Sequence, residues 1–168
     1  MKLQKNTLLA LSSVLEIAGQ PQRHLAAGEI ADKYQVSSHH LAKVLAELVR
    51  AGLVESVRGA GGGYRFIANA SRVTLLDVIE LFEDIAPTRR HPPPPDANPV
   101  EQALHAVLSE TDDNSVATFS SITLATMLRM IARQQGSAQV LKLPDRRPAP
   151  VLALADLQRL RGTGTHAD

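Results

Sequence analysis

The chain has 168 residues, enough for one domain with an appendage, and 44% of them are apolar while only 3% are aromatic. Cysteine is absent, which excludes disulfides, thiolate catalysis, cysteine zinc sites and cysteine-ligated iron–sulfur clusters. The net charge is only +1, but residues 1–70 contain eight Lys or Arg against five acidic residues, whereas residues 71–168 contain ten against twelve.

Three helices are predicted in the first third of the chain. Residues 7–18 carry apolar side chains at helical spacing after Asn6, a candidate N-cap, and a shorter helix is expected over residues 26–34. Ser37 is then the predicted cap of a third helix, whose apolar positions repeat every 3.6 residues until an Ala-Gly pair. A short helix, a tight turn and a further helix form a helix-turn-helix.

A β-hairpin is predicted after the third helix. The spacing becomes strand-like at residues 53–57 and again at 64–67, and Arg58 with five Gly or Ala residues separates the two segments. A phosphate-binding glycine loop would lead into a helix, whereas this one leads into a strand. With a fourth helix over 74–84, residues 1–85 have the element order of a winged helix-turn-helix domain. The fold class is therefore mainly α with a small β-hairpin wing.

Two segments are predicted to lack regular packing. Residues 86–98 form an irregular linker because they are rich in proline, which a helix interior does not accept. Residues 136–168 contain further prolines and glycines and are expected to be a loosely attached tail, in which residues 151–160 fit one short helix.

Residues 99–135 are predicted to form two dimerisation helices, the second over 123–133 with Ser121 as its cap. The first helix has an apolar stripe that a single small wing domain cannot cover. We therefore expect two copies of the chain to associate here as a homodimer. The candidate dimerisation residues are Val100, Leu104, Val107, Leu108, Leu124 and Leu128.

The predicted architecture suits double-stranded DNA. A helix of this motif enters the major groove and reads base edges from its N-terminal turn, while a neighbouring wing can reach the backbone or the minor groove. Arg58 stands beside small residues at the wing, where the backbone can approach DNA closely. The candidate DNA-binding residues are Lys2, Lys5, Ser37, Ser38, His39, His40, Lys43, Arg50, Arg58, Gly59, Gly61, Gly62 and Tyr64.

No pattern in the sequence points to catalysis or to a metal. The adjacent pair His39–His40 projects in directions about 100° apart on a helix, which disfavours shared coordination. His91 and His105 are expected to be solvated, with a sensor that binds metal or haem as the alternative, and the acidic pair Asp112–Asp113 is expected to be solvated too. No nucleophile, base and orienting group converge, so we expect neither an enzyme nor a catalytic site.

Several segments resemble the IscR-like (Rrf2-type) transcription regulators. The most specific is the wing segment 56–64, Ser-Val-Arg-Gly-Ala-Gly-Gly-Gly-Tyr, at its spacing from Leu-Val-Arg-Ala-Gly-Leu-Val at 48–54. Residues 36–41 and 73–79 match as well. The resemblance is strong over residues 1–84 and weaker up to about residue 132.

This resemblance implies a bacterial, sequence-specific transcription regulator that binds a palindromic operator through a dimer built on residues 99–119. We expect a repressor, and an activator is the alternative. Many members hold an iron–sulfur cluster on three cysteines before that helix. Here Asn98 stands at the last of these positions, and Leu8 and Ser12 replace ligands that other members recruit from the first helix. We therefore expect no cofactor and DNA binding without iron.

Other interpretations remain open at this point. A winged-helix module that binds a protein and no longer binds DNA is the alternative, although it has no reason to keep cations at both Lys43 and Arg58. An unknown small-molecule or protein effector could act at the linker, or the protein could bind constitutively. His40 and Ala42 replace the family's Tyr and Glu, so no operator is carried over. The absence of a signal peptide or membrane span predicts a cytoplasmic protein without membrane partners.

Overall fold

The computed structural model describes residues 2–59 and 61–140, and residues up to 132 belong to one compact unit. The predicted tail beyond residue 140, including the helix proposed over 151–160, lies outside the described residues. None of the described helices combines the length and hydropathy needed to cross a membrane. The elements are α1 (Lys5–Ala18), α2 (Ala27–Tyr34), α3 (Ser38–Arg50), β1 (Val54–Val57), β2 (Gly63–Phe66), α4 (Leu75–Ile79), α5 (Pro87–Arg90), α6 (Pro99–Ser121) and α7 (Leu124–Val140).

Two of the first four helices, α3 and α4, begin at a side-chain cap, whereas α1 and α2 have none. Ser37 caps α3 as predicted, since its Oγ accepts a hydrogen bond from the backbone N–H of His40 at 3.2 Å. Thr74 caps α4 through a capping box with Asp77. The prediction that Asn6 caps α1 is wrong, because α1 begins at Lys5, two residues before the predicted start, and Asn6 lies inside its first turn.

Helix α4 is shorter than the predicted span of 74–84. It ends at Ile79, after which Leu81 N–H donates to the Val78 carbonyl and Phe82 N–H to the Ile79 carbonyl. These bonds join residues three apart rather than four, so the chain tightens and leaves the helix.

The hydrophobic core surrounds one face of α3. Four α3 side chains, at most 2% exposed, pack with residues of α1, α2 and α4. This burial fixes how far α3 can rotate and leaves its opposite face to solvent. The central core residues are Val14, Ile17, Ile30, Leu41, Val44, Leu45, Leu48, Val78 and Ile79.

The β-hairpin is tied to the helical part by a third, very short extended segment. β1 and β2 pair antiparallel, with Val54 opposite Phe66 and Val57 opposite Gly63. The backbone of Leu25 exchanges two hydrogen bonds with that of Tyr64, at 2.9 and 2.8 Å. The hairpin therefore cannot swing freely, because its returning strand is anchored beside α2.

We expect Gly63→Ala to loosen this anchor and to lower the free energy of unfolding by roughly 1–3 kcal/mol. Gly63 has φ +153°, and a Cβ there would lie 2.5 Å from the carbonyl oxygen of Leu25. Gly28→Ala is the matched control, since a Cβ there meets nothing within 4 Å and alanine favours the helix. Urea unfolding of both variants tests this; equal stabilities would contradict the proposed role of the anchor.

The linker is more ordered than predicted. Residues Pro87–Arg90 form one helical turn, with Pro87 at its first position, which proline accepts.

Two side chains of α6 hold both ends of this turn. At one end, Asp112 Oδ2 accepts from the N–H groups of Thr88 (2.8 Å) and Arg89 (3.2 Å). At the other end, His105 Nε2 lies 3.1 Å from the Thr88 carbonyl oxygen. The expectation that Asp112 and His105 are merely solvated is therefore wrong.

Helix α6 extends over 23 residues, and none of them is buried. It begins where predicted, at Pro99, because Asn98 caps it in a capping box with Glu101. The structure thus gives Asn98 a role within the chain.

Helix α7 differs from its prediction in its cap, its length and its packing. Thr123, rather than Ser121, accepts from the Thr126 N–H at 3.2 Å. The helix continues to Val140, past the predicted end at residue 133.

Leu124, the first residue of α7, is fully buried in the core, and its N–H donates to the Val73 carbonyl. The first turn of α7 therefore belongs to the winged domain.

Candidate nucleic-acid interface

The outer face of α3 carries the polar residues that the sequence predicted. Ser38, His39, Lys43 and Arg50 are all exposed, on the opposite side of the helix from its buried leucines. Ala42 is exposed among them and offers only a methyl group. A helix that is anchored on one face and polar on the other is suited to enter a major groove.

His40 differs from its neighbours because its ring already has a partner. The ring is half-buried at the flank of α3, and its Nε2 lies 2.6 Å from Oδ1 of Asn6 in the first turn of α1. Asn6 is 34 residues away in sequence, so periodicity and capping rules could not identify it as part of this surface.

The wing has a tight, exposed tip. Gly59 and Gly61 adopt φ values of +104° and +78°, and the N–H of Gly62 donates to the Gly59 carbonyl at 2.9 Å. A Cβ on Gly62 would lie 2.3 Å from the carbonyl oxygen of Val57, so only glycine fits there. Arg58 is exposed at the start of this turn.

Two predicted contacts have structural roles in the chain. Tyr64 is half-buried, packs against the core and pairs with Leu25 through its backbone. Arg50 donates to Glu47 at 2.6 Å at the C-terminal end of α3, although its side chain stays 72% exposed. Tyr64 is therefore less available to DNA than Arg50, whose exposed ion pair is weak.

Several cations on this surface are uncompensated. Among the residues the structure describes, no ion pair involves Lys5, Lys43 or Arg58, and all three are exposed. Lys2 is exposed as well, but it lines a cleft that also contains Glu83 and Asp84. Unpaired cations can neutralise phosphates and release counterions, which is the main source of affinity for nucleic acid.

The angle between α1 and α2 is held by a small polar cluster. The Tyr34 hydroxyl and the Lys33 ammonium both donate to Oε1 of Glu16. Burial, and next the hydrogen bond to the Glu16 carboxylate, raise the pKa of Tyr34 to about 12. The hydroxyl therefore stays protonated as a donor at physiological pH, which keeps α2 in place beside α1.

The predicted dimerisation stripe is exposed on α6. The relative exposures are 67% for Val100, 58% for Leu104, 63% for Val107 and 53% for Leu108. Leu128 is half-buried, whereas the buried position of Leu124 removes it from any interface with a second copy. Leu108 lies one turn before Asp112, so the stripe borders the face that holds the linker.

The chain is similar to known regulators over the range that contains these features. A model of the Rrf2 family, described as iron-dependent transcriptional regulators, matches residues 3–130. A Rhodopseudomonas palustris protein named as the HTH-type transcriptional regulator BadM is 50% identical over 131 residues, which is 78% of this chain and 83% of that protein. The HTH-type transcriptional regulator NsrR of Shouchella clausii is 34% identical over 85 residues, or 50% of this chain and 57% of NsrR.

Solved structures resemble the fold as well. CymR, the global cysteine regulator of B. subtilis, superposes with a TM-score of 0.66 at 26% identity, covering 77% of this chain and 98% of CymR. The IscR structure from T. potens superposes with a TM-score of 0.63 at 24% identity, over 80% of this chain and 91% of that one. The latter likeness supports the fold alone.

Proposed function

The chain belongs to the Rrf2 family of DNA-binding transcriptional regulators, which are not enzymes, and on that premise we propose that it is a homodimeric repressor of bacterial transcription. It acts in the cytoplasm and binds a palindromic operator, with one α3 helix in each half-site. The N-terminal turn of α3 reads bases, and the wing with Arg58 contacts the backbone or the minor groove.

One observation carries the DNA-binding part of this proposal. Uncompensated cations lie both on the reading helix, at Lys43, and on the wing, at Arg58. A protein-interaction module of the same fold is the alternative, and it would not need cations on both elements. The tight glycine turn beside Arg58 also lets the backbone approach a phosphate closely.

The dimer is supported by the exposed stripe of α6. Four large apolar side chains, each more than half exposed, repeat along one side of a helix that buries none of its residues. Leaving such a stripe in water is costly, at about 25 cal/mol for each Å² of apolar surface. A second copy offers an identical stripe, so a twofold interface would cover both.

An iron site of the kind the family description names does not fit these residues. The sequence has no cysteine, and among the described residues no three His, Asp or Glu side chains lie close enough to share a metal ion. The oxygen and nitrogen atoms near the linker already have partners: Asn98 Oδ1 accepts from the N–H groups of Val100 and Glu101, and His105 Nε2 bonds to carbonyls.

We propose that regulation instead uses a small-molecule or protein effector near the linker. A cleft of about 310 Å³ is lined by Lys2, by Pro87 of the linker and by Asp112 of α6. A neighbouring cleft of about 460 Å³ shares Thr111 and Ser115 with it. An occupant would touch both the winged domain and α6, and could therefore change the distance between the two α3 helices of a dimer.

The proposal is tested by incubating the purified full chain with sheared genomic DNA of its source bacterium and sequencing the retained fragments. We expect enrichment of an inverted repeat with half-sites about one helical turn apart, roughly 34–36 Å, and protection of that repeat from nuclease. Retention of all fragments in proportion to their abundance would contradict a sequence-specific regulator. Retention of none would favour the protein-interaction alternative.

A further inference from the structure

We propose that His40 reads a base through a hydrogen-bond acceptor and that Asn6 is the positioning residue that makes it one. The proposed partner is the exocyclic amino group of an adenine or a cytosine at the major-groove edge. This inference rests on the proposed DNA-binding function and adds the chemistry of one contact in each half-site.

The contact with Asn6 determines which nitrogen of the His40 ring carries the proton. Its Nε2 lies 2.6 Å from Oδ1 of Asn6. A carboxamide oxygen only accepts hydrogen bonds, so Nε2 carries the proton and donates. In a neutral imidazole the other nitrogen, Nδ1, is then an acceptor. Among the described residues, Nδ1 has no hydrogen-bond partner.

The His40 ring lies at the N-terminal turn of α3. His40 is the third residue of α3, and its backbone N–H is held by the Oγ of Ser37 at 3.2 Å. The N-terminal turn of such a helix is the part that reaches base edges. Half-burial of the ring and its bond to α1 fix the orientation of His40 before DNA arrives, which lowers the entropy cost of the contact.

The free acceptor of His40, Nδ1, needs a hydrogen-bond donor on the DNA. Phosphate oxygens only accept, so a neutral His40 with its Nε2–H already used has no donor for the DNA backbone. In the major groove the available donors are N6 of adenine and N4 of cytosine, whereas guanine and thymine offer acceptors at the corresponding positions. The geometry therefore favours base reading by His40 over a phosphate contact.

The test is selection from a randomised duplex library at pH 8, where histidine side chains are ordinarily neutral. We expect the full-length parent to prefer adenine or cytosine at one position of each half-site, on the order of 10- to 100-fold over the alternatives. Both Asn6→Leu and His40→Ala are expected to remove the preference at that position and to keep the remainder of the motif.

Asn6→Asp is the conservative control, because it retains an oxygen that accepts from Nε2. A carboxylate also favours the imidazolium form, in which Nδ1 carries a proton, so the selection for this variant is repeated at pH 9. There it should keep the base preference even if its added charge weakens affinity for all sequences. A role of Asn6 in folding alone would not distinguish Asp from Leu in this way. Thermal unfolding of the variants checks their stability, and Asn6→Ala replaces Asn6→Leu if the larger side chain prevents folding.

The selection distinguishes a failure of the proposed DNA-binding function from a failure of the role assigned to the Asn6–His40 pair. If the parent enriches no motif, the proposed function fails. If the parent enriches a motif and both variants keep every base preference, the role of the Asn6–His40 pair is wrong. If both variants lose affinity equally for all sequences, His40 contacts the backbone, and the base-reading assignment is wrong as well.

Discussion

Leu104→Glu is expected to convert the protein into a monomer and to abolish operator binding at concentrations where the parent binds fully. Leu104 lies in the middle of the apolar stripe of α6 and is 58% exposed in the single chain. Burying a leucine contributes roughly 2 kcal/mol. A twofold interface contains two such leucines, so their loss weakens association by about 4 kcal/mol, or roughly a thousandfold. The introduced carboxylates raise the penalty further, because they would have to leave water.

Sedimentation at micromolar concentration, followed by gel shifts on a fragment enriched from the genome, measures both effects. Ala106→Glu is the matched control. Ala106 is exposed on the same helix but lies two residues away, about 200° around the helix axis. It should leave a dimer that binds DNA. Dimeric Leu104→Glu, or equal dissociation of both variants, would contradict the assignment of the stripe.

Arg58→Ala is expected to have the second-largest effect, a loss of operator affinity without a loss of stability. Arg58 is exposed beside the glycine turn of the wing and has no partner among the described residues, so its removal costs the fold little. A groove contact is worth roughly 1–3 kcal/mol, and a dimer makes two. The combined loss is therefore roughly 2–6 kcal/mol, provided that affinities are compared at one salt concentration.

Arg65→Ala separates a specific contact at the tip from general positive charge on the wing. Arg65 carries the same guanidinium on β2, is 48% exposed, and is paired with Glu55 on the neighbouring strand. Because an exposed pair contributes little to stability, this variant should fold and bind almost as the parent does. Equal losses in both variants would indicate that the wing acts only through its overall charge.

Local signals explain why much of the fold could be predicted from the sequence. The extent of α3 follows from the spacing of Leu41, Val44, Leu45 and Leu48 and from the Ser37 cap, all within one helix. The start of α6 likewise depends on neighbouring residues, in a capping box at Asn98. Such signals act over three or four residues, and they are therefore visible in the linear order of the chain.

The features that were missed depend on distant contacts. Nothing near Leu124 indicates that it fills the core beside α4 instead of a dimer surface, because that outcome is decided by the path of α6. Asp112 was expected to be solvated, yet it accepts hydrogen bonds from N–H groups 23 and 24 residues earlier. The Asn6–His40 contact is of the same kind. Side chains that complete another element have no periodicity to reveal them.

The uncovered stripe of α6 also affects how the protein responds to its own rate of synthesis. If two copies are needed to cover α6, the concentration of dimer below its dissociation constant rises with the square of the chain concentration. Halving expression then lowers the dimer about fourfold, and doubling it raises the dimer about fourfold. Occupancy of an operator by this dimer would follow gene dosage more steeply than occupancy by a monomer, even before any ligand is bound.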